Sequence, residues 1–183
     1  MTTSVSPATP ADAQELAKLA ALTFPLACPP AVTAEDSAAF VAAHLSEDAF
    51  VHYLADDSKK ILAARQDSDL IGYALLVFSP PSDPEVTEAL QQLPGPAAEL
   101  SKCYVHPAAH GTGTAGALMQ AAMDTAVVSG CRTLWLGVND LNLRAQAFYR
   151  KSGFSEVGRK NFTVGGHMFR DFILALPLPV GDK

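Results

Sequence analysis

The central stretch of the chain runs from Glu99 to Met119 and reads ELSKCYVHPAAHGTGTAGALM. Side chains that alternate from Leu100 to Val105, together with the run Cys-Tyr-Val, predict a strand. Pro107 ends this strand because proline has no N–H for a ladder. Glycines follow at 111, 113 and 116, and apolar residues then recur at the spacing of one helix face. Such a turn presents backbone N–H groups at the positive end of a helix dipole, which suits a phosphate or pyrophosphate.

The glycine pattern does not by itself identify a ligand. The segment Gly111–Gly116 is not the dinucleotide fingerprint G-x-G-x-x-G, because its third glycine comes one position early. It also lacks the Gly-Lys-Ser/Thr ending of a P-loop. A tight connection that binds nothing is an equally valid interpretation of so short a turn.

Composition predicts a single domain that spans residues 1–183. Of the 183 residues, 49% are hydrophobic and 17% are charged, which is enough for a sizeable core and unlike a disordered chain. The sequence has no apolar run long enough to cross a bilayer, and its first ten residues lack the pattern of a secretory signal. Three widely spaced cysteines form no CxxC pair, which favours a reducing cytoplasm.

Charge is unevenly distributed along the chain, whose net charge is −6. Residues 1–130 hold 15 acidic and 5 basic side chains, whereas residues 131–183 hold 4 acidic and 8 basic ones. Without a long basic run, nucleic-acid binding is not expected. An acidic half beside a basic half suits a cationic substrate and an anionic cofactor, although random scatter explains the numbers equally well.

The residues before the central stretch predict helices, a hairpin and an insertion. Capping and proline signals place helices at Pro10–Leu22, Thr33–Leu45 and from Ser46 to about Leu54, with a loop at Phe24–Val32 and strands at Ile61–Arg65 and Leu70–Phe78. The insertion Ser79–Ala98 has a short helix near Glu85–Leu93. It either shapes the substrate site or forms a surface excursion.

The residues after the central turn predict further alternation of helices and strands. These elements are a helix at Thr114–Ser129, a strand at Thr133–Val138, a helix of about ten residues from Asn142, and an antiparallel pair at Ser155–Val157 and Met168–Leu176. The whole order predicts an α/β fold, a mixed sheet with helices on both faces.

Four motifs stand in order around the glycine turn. They are Tyr104-Val105-His106-Pro107, His110-x-x-Gly113-x-Ala115, Leu134-Trp135-Leu136-Gly137-Val138 and Asn142-x-x-Ala145-x-x-Phe148-Tyr149-x-Lys151-x-Gly153-Phe154. This set resembles the GNAT superfamily of N-acetyltransferases, which use acetyl-CoA and whose phosphate-loop pattern is Arg/Gln-x-x-Gly-x-Gly/Ala. The resemblance covers residues 58–176. The run from Leu134 to Phe154, with Phe162 and Asp171, is also similar to the bacterial branch that acetylates spermidine and related polyamines.

The resemblance implies a mostly antiparallel sheet in which the strands Leu100–Val105 and Thr133–Val138 form a splayed parallel pair. It makes residues 58–176 the acetyl-CoA-binding core and residues 1–57 the substrate-side helices. Pantetheine is expected to enter the gap between the splayed strands. The implied cofactor contacts are the backbone of Tyr104 and Val105, the turn residues His110, Gly111, Thr112, Gly113, Thr114, Ala115 and Gly116, and the side chains of Asn142 and Tyr149. His110 replaces Arg or Gln, so its phosphate contact should be weaker, because its side chain is shorter and mostly neutral.

Acetyl transfer to an amine needs a base, an oxyanion donor and a proton for the leaving thiolate. By resemblance Tyr149 is the proton donor, although its ring can equally pack beside Phe148. Glu99 stands where many family members carry a Glu and is the candidate base; the alternative is a surface carboxylate that attracts an amine. The N–H of Val105 is the expected oxyanion donor if a bulge interrupts the ladder there.

Two other kinds of site are less favoured by the sequence. Cys103 would need a nearby base to carry the acetyl group, but alternation places His106 on the opposite strand face, so a core role is preferred. His44 and His52 have no Glu or Cys to complete a ligand set, so no metal is expected.

The leading hypothesis is an acetyl-CoA-dependent N-acetyltransferase that acts on a primary amine by direct attack in a ternary complex. The acidic first half favours a small cationic amine such as a polyamine. Two alternatives stay open. One is transfer to a protein N-terminus or lysine, which needs the insertion Ser79–Ala98 to lie clear of the site. The other is a catalytically silent CoA-binding sensor domain. No nucleic acid or membrane partner is expected, and a homodimer is compatible with the sequence.

Overall fold

A mixed sheet forms the centre of the computed structural model, which describes residues 3–180. Its seven strands within this range are β1 (Thr3–Pro7), β2 (Lys59–Gln66), β3 (Asp69–Val77), β4 (Ala97–Val105), β5 (Thr133–Asn139), β6 (Ser155–Val164) and β7 (His167–Pro177). They lie in the order β1-β2-β3-β4-β5-β7-β6, and of these neighbours β4 and β5 run parallel while the other pairs are antiparallel. The predicted mostly antiparallel sheet with one parallel pair is therefore confirmed.

Helices cover both faces of this sheet, as predicted. The α-helices of the described residues are α1 (Ala13–Ala27), α2 (Ala34–His44), α3 (Glu47–Ala55), α4 (Pro84–Leu90), α5 (Thr114–Val128) and α6 (Leu143–Lys151). Helices α1 to α4 lie on one face, and α5 and α6 lie on the other. Successive side chains of β5 show this division, because Leu134 and Leu136 pack with α5, whereas Trp135 packs with α4.

The elements differ most from the sequence-based prediction at β1, α1 and β6. Strand β1 was not predicted; it pairs along β2 at the edge of the sheet, where only one side of the strand needs a partner. Helix α1 continues to Ala27 through Pro25, which was assigned to a loop. Pro25 has no N–H to donate to the carbonyl of Ala21, but Ala21 is exposed, so water can donate to this carbonyl instead. Strand β6 extends to Val164 rather than ending at Val157.

The insertion Ser79–Ala98 carries α4 and packs on the edge of the sheet. Asp83 caps this helix, because its carboxylate accepts a hydrogen bond from the amide N–H of Glu85 at 2.9 Å. Glu85 in turn accepts bonds from Arg170 at 3.0 Å and from the amide of Asn161 at 3.1 Å. These contacts fix the insertion against β6 and β7.

Candidate active site

The parallel strands β4 and β5 diverge in the middle of the sheet. They pair from Ala97↔Thr133 to Glu99↔Trp135, and no pairing joins their later residues. On the other side of β4, the amide of His106 donates to the carbonyl of Ile71 at 2.8 Å. Because successive backbone amides point in opposite directions, the N–H of Val105 faces the gap between β4 and β5. The carboxyl end of β4 thus offers a free strand edge.

A β-bulge lies in β4 at Ser101. Leu76 pairs with Leu100 and Leu75 pairs with Lys102, so Ser101 has no partner on β3. The sequence made the oxyanion role of Val105 conditional on a bulge at that residue. Val105 instead pairs regularly with Gly72, and its N–H is left free because β5 has diverged from β4. An extra residue resets the alternation of side chains.

This reset has a direct effect on the site. In a regular strand an odd and an even position face opposite ways. Across the bulge, Glu99 and Lys102 both face the side of helices α1 to α3, whereas Leu100 and Cys103 face α5. A carboxylate and an ammonium group therefore line the same space.

The turn between β4 and α5 is open to a ligand. Gly111 and Gly113 have φ values of 79° and 88°, in the left-handed region that favours glycine. Within the described residues, no hydrogen bond uses the amides of Gly111, Gly113 or the first three residues of α5. A Cβ added at Gly116 would meet no atom within 4 Å. The turn thus presents free N–H groups at a helix N-terminus, a suitable arrangement for an anion.

The histidine and threonine side chains of this turn form hydrogen bonds within the protein. The Nε2 atom of His110 lies 3.1 Å from the carbonyl oxygen of Val105. The hydroxyl of Thr112 donates to the carbonyl of Ala109 at 2.7 Å, and it lies 2.8 Å from the hydroxyl of Thr114. These contacts hold the turn without occupying its amides.

Two adjacent spaces lie at the splayed strands. The outer groove, of about 240 Å³, is lined by Val105, His110, Ala115, Arg144 and Phe148 among others. The inner cavity, of about 310 Å³, is lined by Glu99, Lys102, Asn139, Lys160 and Asp171 among others. Both spaces are lined by Ala27, Cys103, Tyr104, Asn142, Ala145 and Tyr149, which mark the place where they meet.

Tyr149 stands at this junction. Its ring packs against Phe148 and Phe154, with centroids 5.4 and 6.0 Å away. The packed residue still lines both the outer groove and the inner cavity. Burial raises the pKa of its phenol well above the usual value, and the nearby Cys103 and Tyr104 add to this rise. Tyr149 therefore stays protonated at neutral pH and is able to donate a proton.

Glu99 is a half-buried carboxylate on the wall of the inner cavity. Burial raises its pKa above the usual value, and the charges of Lys160 and Lys102 offset part of the rise. Among the described residues it has no hydrogen bond and no ion pair within 4 Å. A carboxylate with a raised pKa and free oxygens has the properties of a general base.

Asn142 and Cys103 border both spaces, but each has a structural role as well. The side chain of Asn142 caps α6 by accepting a hydrogen bond from the amide of Ala145 at 3.1 Å. Burial raises the pKa of the Cys103 thiol to about 12, so its reactive thiolate is scarce at neutral pH. This agrees with the core role that the sequence favoured.

Three charged residues of the inner cavity were not among the predicted site residues. Lys102, Lys160 and Asp171 reach the same space from β4, β6 and β7. In the strand register, Asp171 of β7 lies opposite Lys160 of β6 on one side and opposite Asn139 of β5 on the other. Lys160, Asp171 and Asn139 therefore form a row across these three strands. The sequence held no signal for this row, because it depends on the register of three strands.

The insertion Ser79–Ala98 does not shape the inner cavity, contrary to one of the two interpretations. None of its residues lines the cavity. Aromatic rings from other elements line it: Phe24 stacks on Phe40 at 4.5 Å, and Phe40 meets the edge of Phe162 at 6.0 Å. Helices α1 and α2 and the β6–β7 hairpin thereby form part of the cavity wall.

Residues 3–180 contain neither a membrane-spanning helix nor a cluster of metal ligands. No helix in that range combines the length and the apolar character that a bilayer crossing demands. In the same range, His, Cys, Asp and Glu side chains form no group of three or more arranged to hold a metal ion.

Comparison with known proteins agrees with this geometry. The sequence profile described as "Acetyltransferase (GNAT) family" matches residues 26–154. A protein of Mycobacterium tuberculosis, described as an uncharacterized N-acetyltransferase, is 45% identical over 91% of this chain and 98% of its own length. The structure of the PaiA N-acetyltransferase from Thermoplasma acidophilum, in complex with coenzyme A, has a TM-score of 0.76 at 19% identity and covers 97% of this chain and 99% of that one. An N-acetyltransferase from Staphylococcus aureus has a TM-score of 0.71 at 15% identity, with coverage of 98% and 100%.

Proposed function

Because the chain belongs to the acetyltransferase (GNAT) family and uses acetyl-CoA as cosubstrate, we propose that it acetylates a small primary amine by direct attack in a ternary complex. The observation that carries the proposal is the position of Tyr149. A protonated phenol borders both the outer groove and the inner cavity, which also holds the unpartnered carboxylate of Glu99. An acyl donor and an acyl acceptor can therefore meet beside one acid and one base.

In this mechanism each residue has a separate task. The amides from Gly111 to Gly116 bind the diphosphate of acetyl-CoA, and the free edge of β4 pairs with the pantetheine arm. Glu99 takes the proton of the amine as its nitrogen attacks the thioester carbonyl, directly or through a water. The N–H of Val105 donates to the oxyanion, and Tyr149 gives its proton to the sulfur as the C–S bond breaks.

The size and the lining of the inner cavity support a small acceptor rather than a peptide. The insertion Ser79–Ala98 lies clear of the cavity, as a peptide groove would require. The cavity nevertheless measures only about 310 Å³, and the packed rings of Phe24, Phe40 and Phe162 form part of its wall. A polyamine acceptor, a cytoplasmic location and a homodimer stay predictions from the sequence.

Release of free thiol from acetyl-CoA in the presence of a panel of amines tests the proposal. The panel contains monoamines, diamines, spermidine, amino acids and a lysine peptide, and mass spectrometry identifies the acetylated product. We expect at least one small amine to be acetylated well above the rate without amine. Binding of acetyl-CoA with no product from any amine would instead support a silent CoA-binding domain.

A further inference from the structure

We propose that the acceptor carries an anionic group, a carboxylate, in addition to its primary amine, and that Lys102 and Lys160 bind this carboxylate. The inference rests on the proposed acetyl transfer and specifies the substrate class of the same site. The chemical class is a small amino acid or a close relative, rather than a polycation. Four steps support it.

Lys102 enters the inner cavity because of the bulge at Ser101. Its ammonium group donates to the hydroxyl of Ser101 at 3.4 Å and lies 5.7 Å from the ring centre of Tyr53. Burial lowers its pKa, and the charge of Glu99 offsets part of that effect. A partly buried ammonium group that lacks a direct anionic partner carries a desolvation cost, and an anionic ligand would offset this cost.

Lys160 reaches the cavity by lying across the sheet. It starts on β6 opposite Asp171, and its Cε atom would lie 2.6 Å from a Cβ placed on Gly137 of β5. The side chain therefore extends over β7 as far as β5, through the space that Gly137 leaves free. This path brings a second ammonium group towards the splayed strands.

The four charges of the cavity do not neutralise one another by contact. Among residues 3–180, no ion pair within 4 Å involves Glu99, Lys102, Lys160 or Asp171. By contrast, Arg65 contacts a carboxylate directly at 2.5 Å. The cavity thus presents two positive and two negative groups, each with capacity for a ligand.

This charge pattern matches a zwitterion better than a polyamine. The amine of a zwitterion can approach Glu99 while its carboxylate accepts hydrogen bonds from the lysines. A polyamine would bring additional positive charges close to two ammonium groups, and like charges repel in a partly buried site. The cavity of about 310 Å³ also limits the acceptor to a small molecule.

Acetylation rates of matched acceptors test the inference. The panel consists of amino acids, the same amino acids as carboxamides, and diamines with spermidine. We expect kcat/KM for the best amino acid to exceed that for its carboxamide by about ten- to a hundredfold, the usual effect of losing a charged hydrogen bond. The carboxamide keeps the amine and the shape but removes the negative charge.

Variants assign the effect to the lysines. Lys102→Gln and Lys160→Gln should each lower kcat/KM for amino acids about tenfold or more and change that for carboxamides less than about threefold. Lys18→Gln, an exposed position on α1, is the matched control and should change neither. Thermal unfolding of all three variants checks that they fold.

The outcomes separate the two proposals. If diamines or carboxamides are acetylated at least as well as amino acids, or if the lysine variants affect all acceptors equally, the inference is wrong while the acetyl transfer stands. If no amine is acetylated although acetyl-CoA binds, the proposed function and the inference both fail.

Discussion

In the proposed mechanism Tyr149 gives its proton to the leaving thiolate, and this residue lines both the outer groove and the inner cavity. Tyr149→Phe keeps the ring that packs on Phe148 and Phe154 and removes only the hydroxyl. We expect kcat to fall about a hundredfold or more, while the KM for acetyl-CoA changes less than about threefold. Steady-state thiol release measures both constants. An unchanged kcat would remove Tyr149 from the mechanism.

The proposed base role of Glu99 predicts that kcat/KM depends on pH. As a base it must be ionised, and because its pKa is raised, the acidic limb of the kcat/KM profile should lie above pH 4.5, the ordinary value for a Glu carboxyl. In Glu99→Gln this limb should disappear and the rate should fall about a hundredfold. A profile with the same acidic limb in the variant would show that another group is the base.

Replacement of Glu99 by Gln should also stabilise the folded protein. A carboxyl whose pKa is raised by folding stabilises the native state below its unfolded pKa and loses this contribution as the pH rises through its folded pKa. At neutral pH Glu99 therefore opposes folding, and Glu99→Gln should raise the melting temperature. If Glu99 were a surface carboxylate with no functional role, Glu99→Gln would neither lower the rate nor raise the melting temperature.

The sequence predicted some of these residues and not others, for a physical reason. Tyr149 and Glu99 were predicted because each lies in, or at a recognisable spacing from, a sequence motif around the glycine turn. Lys102 was missed because a single unpaired residue, Ser101, reverses the face to which it points. Lys160 was missed because its reach depends on a glycine in another strand.

Strand β4 connects the packing of the sheet to the site. A Cβ on Gly72 of β3 would lie 3.0 Å from Cδ1 of Leu118 and 3.1 Å from the carbonyl oxygen of Tyr104. Gly72→Ala should therefore shift the free edge of β4, lower the free energy of unfolding by about 1–3 kcal/mol and weaken acetyl-CoA binding. Gly116→Ala is the stability control, because its methyl group meets no atom within 4 Å. Urea unfolding measures the free energy of unfolding, and calorimetric titration measures the affinity for acetyl-CoA. If both stayed unchanged in Gly72→Ala, the packing of β3 on β4 would not affect the site.

The elements that were predicted well are those with strong local signals. Helix α5 and strand β5 follow from glycine, proline and apolar spacing around the turn. Strand β1 and the second half of β6 were missed because edge strands of polar residues depend on a neighbouring strand, β2 or β7, to become strands at all. Helix α1 was ended too early because the carbonyl that loses its donor at Pro25, that of Ala21, is exposed to water, which the sequence does not show.

Across the whole molecule, elements from both faces of the sheet contribute to the two spaces. Ala27 of α1 lines both of them, and so do Ala145 and Tyr149 of α6. The splay of β4 from β5 is the passage between the faces. The uneven charge of the sequence suggested a cationic acceptor, whereas the folded chain brings lysines from both halves into one cavity. Net charge along the chain cannot reveal this arrangement.

The binding of coenzyme A at the turn is the claim on which the other steps depend. Gly116 lies in the first turn of α5, is exposed and has open space around it, so Gly116→Val keeps the helix but fills the place of the diphosphate. Gln120→Val puts the same side chain one turn further along this face and is the matched control.

Calorimetric titration of coenzyme A into the wild type and these two variants tests that claim most directly. We predict binding by the wild type and by Gln120→Val, and at least about tenfold weaker binding by Gly116→Val at an unchanged melting temperature. Equal affinity of Gly116→Val and the wild type would contradict the account.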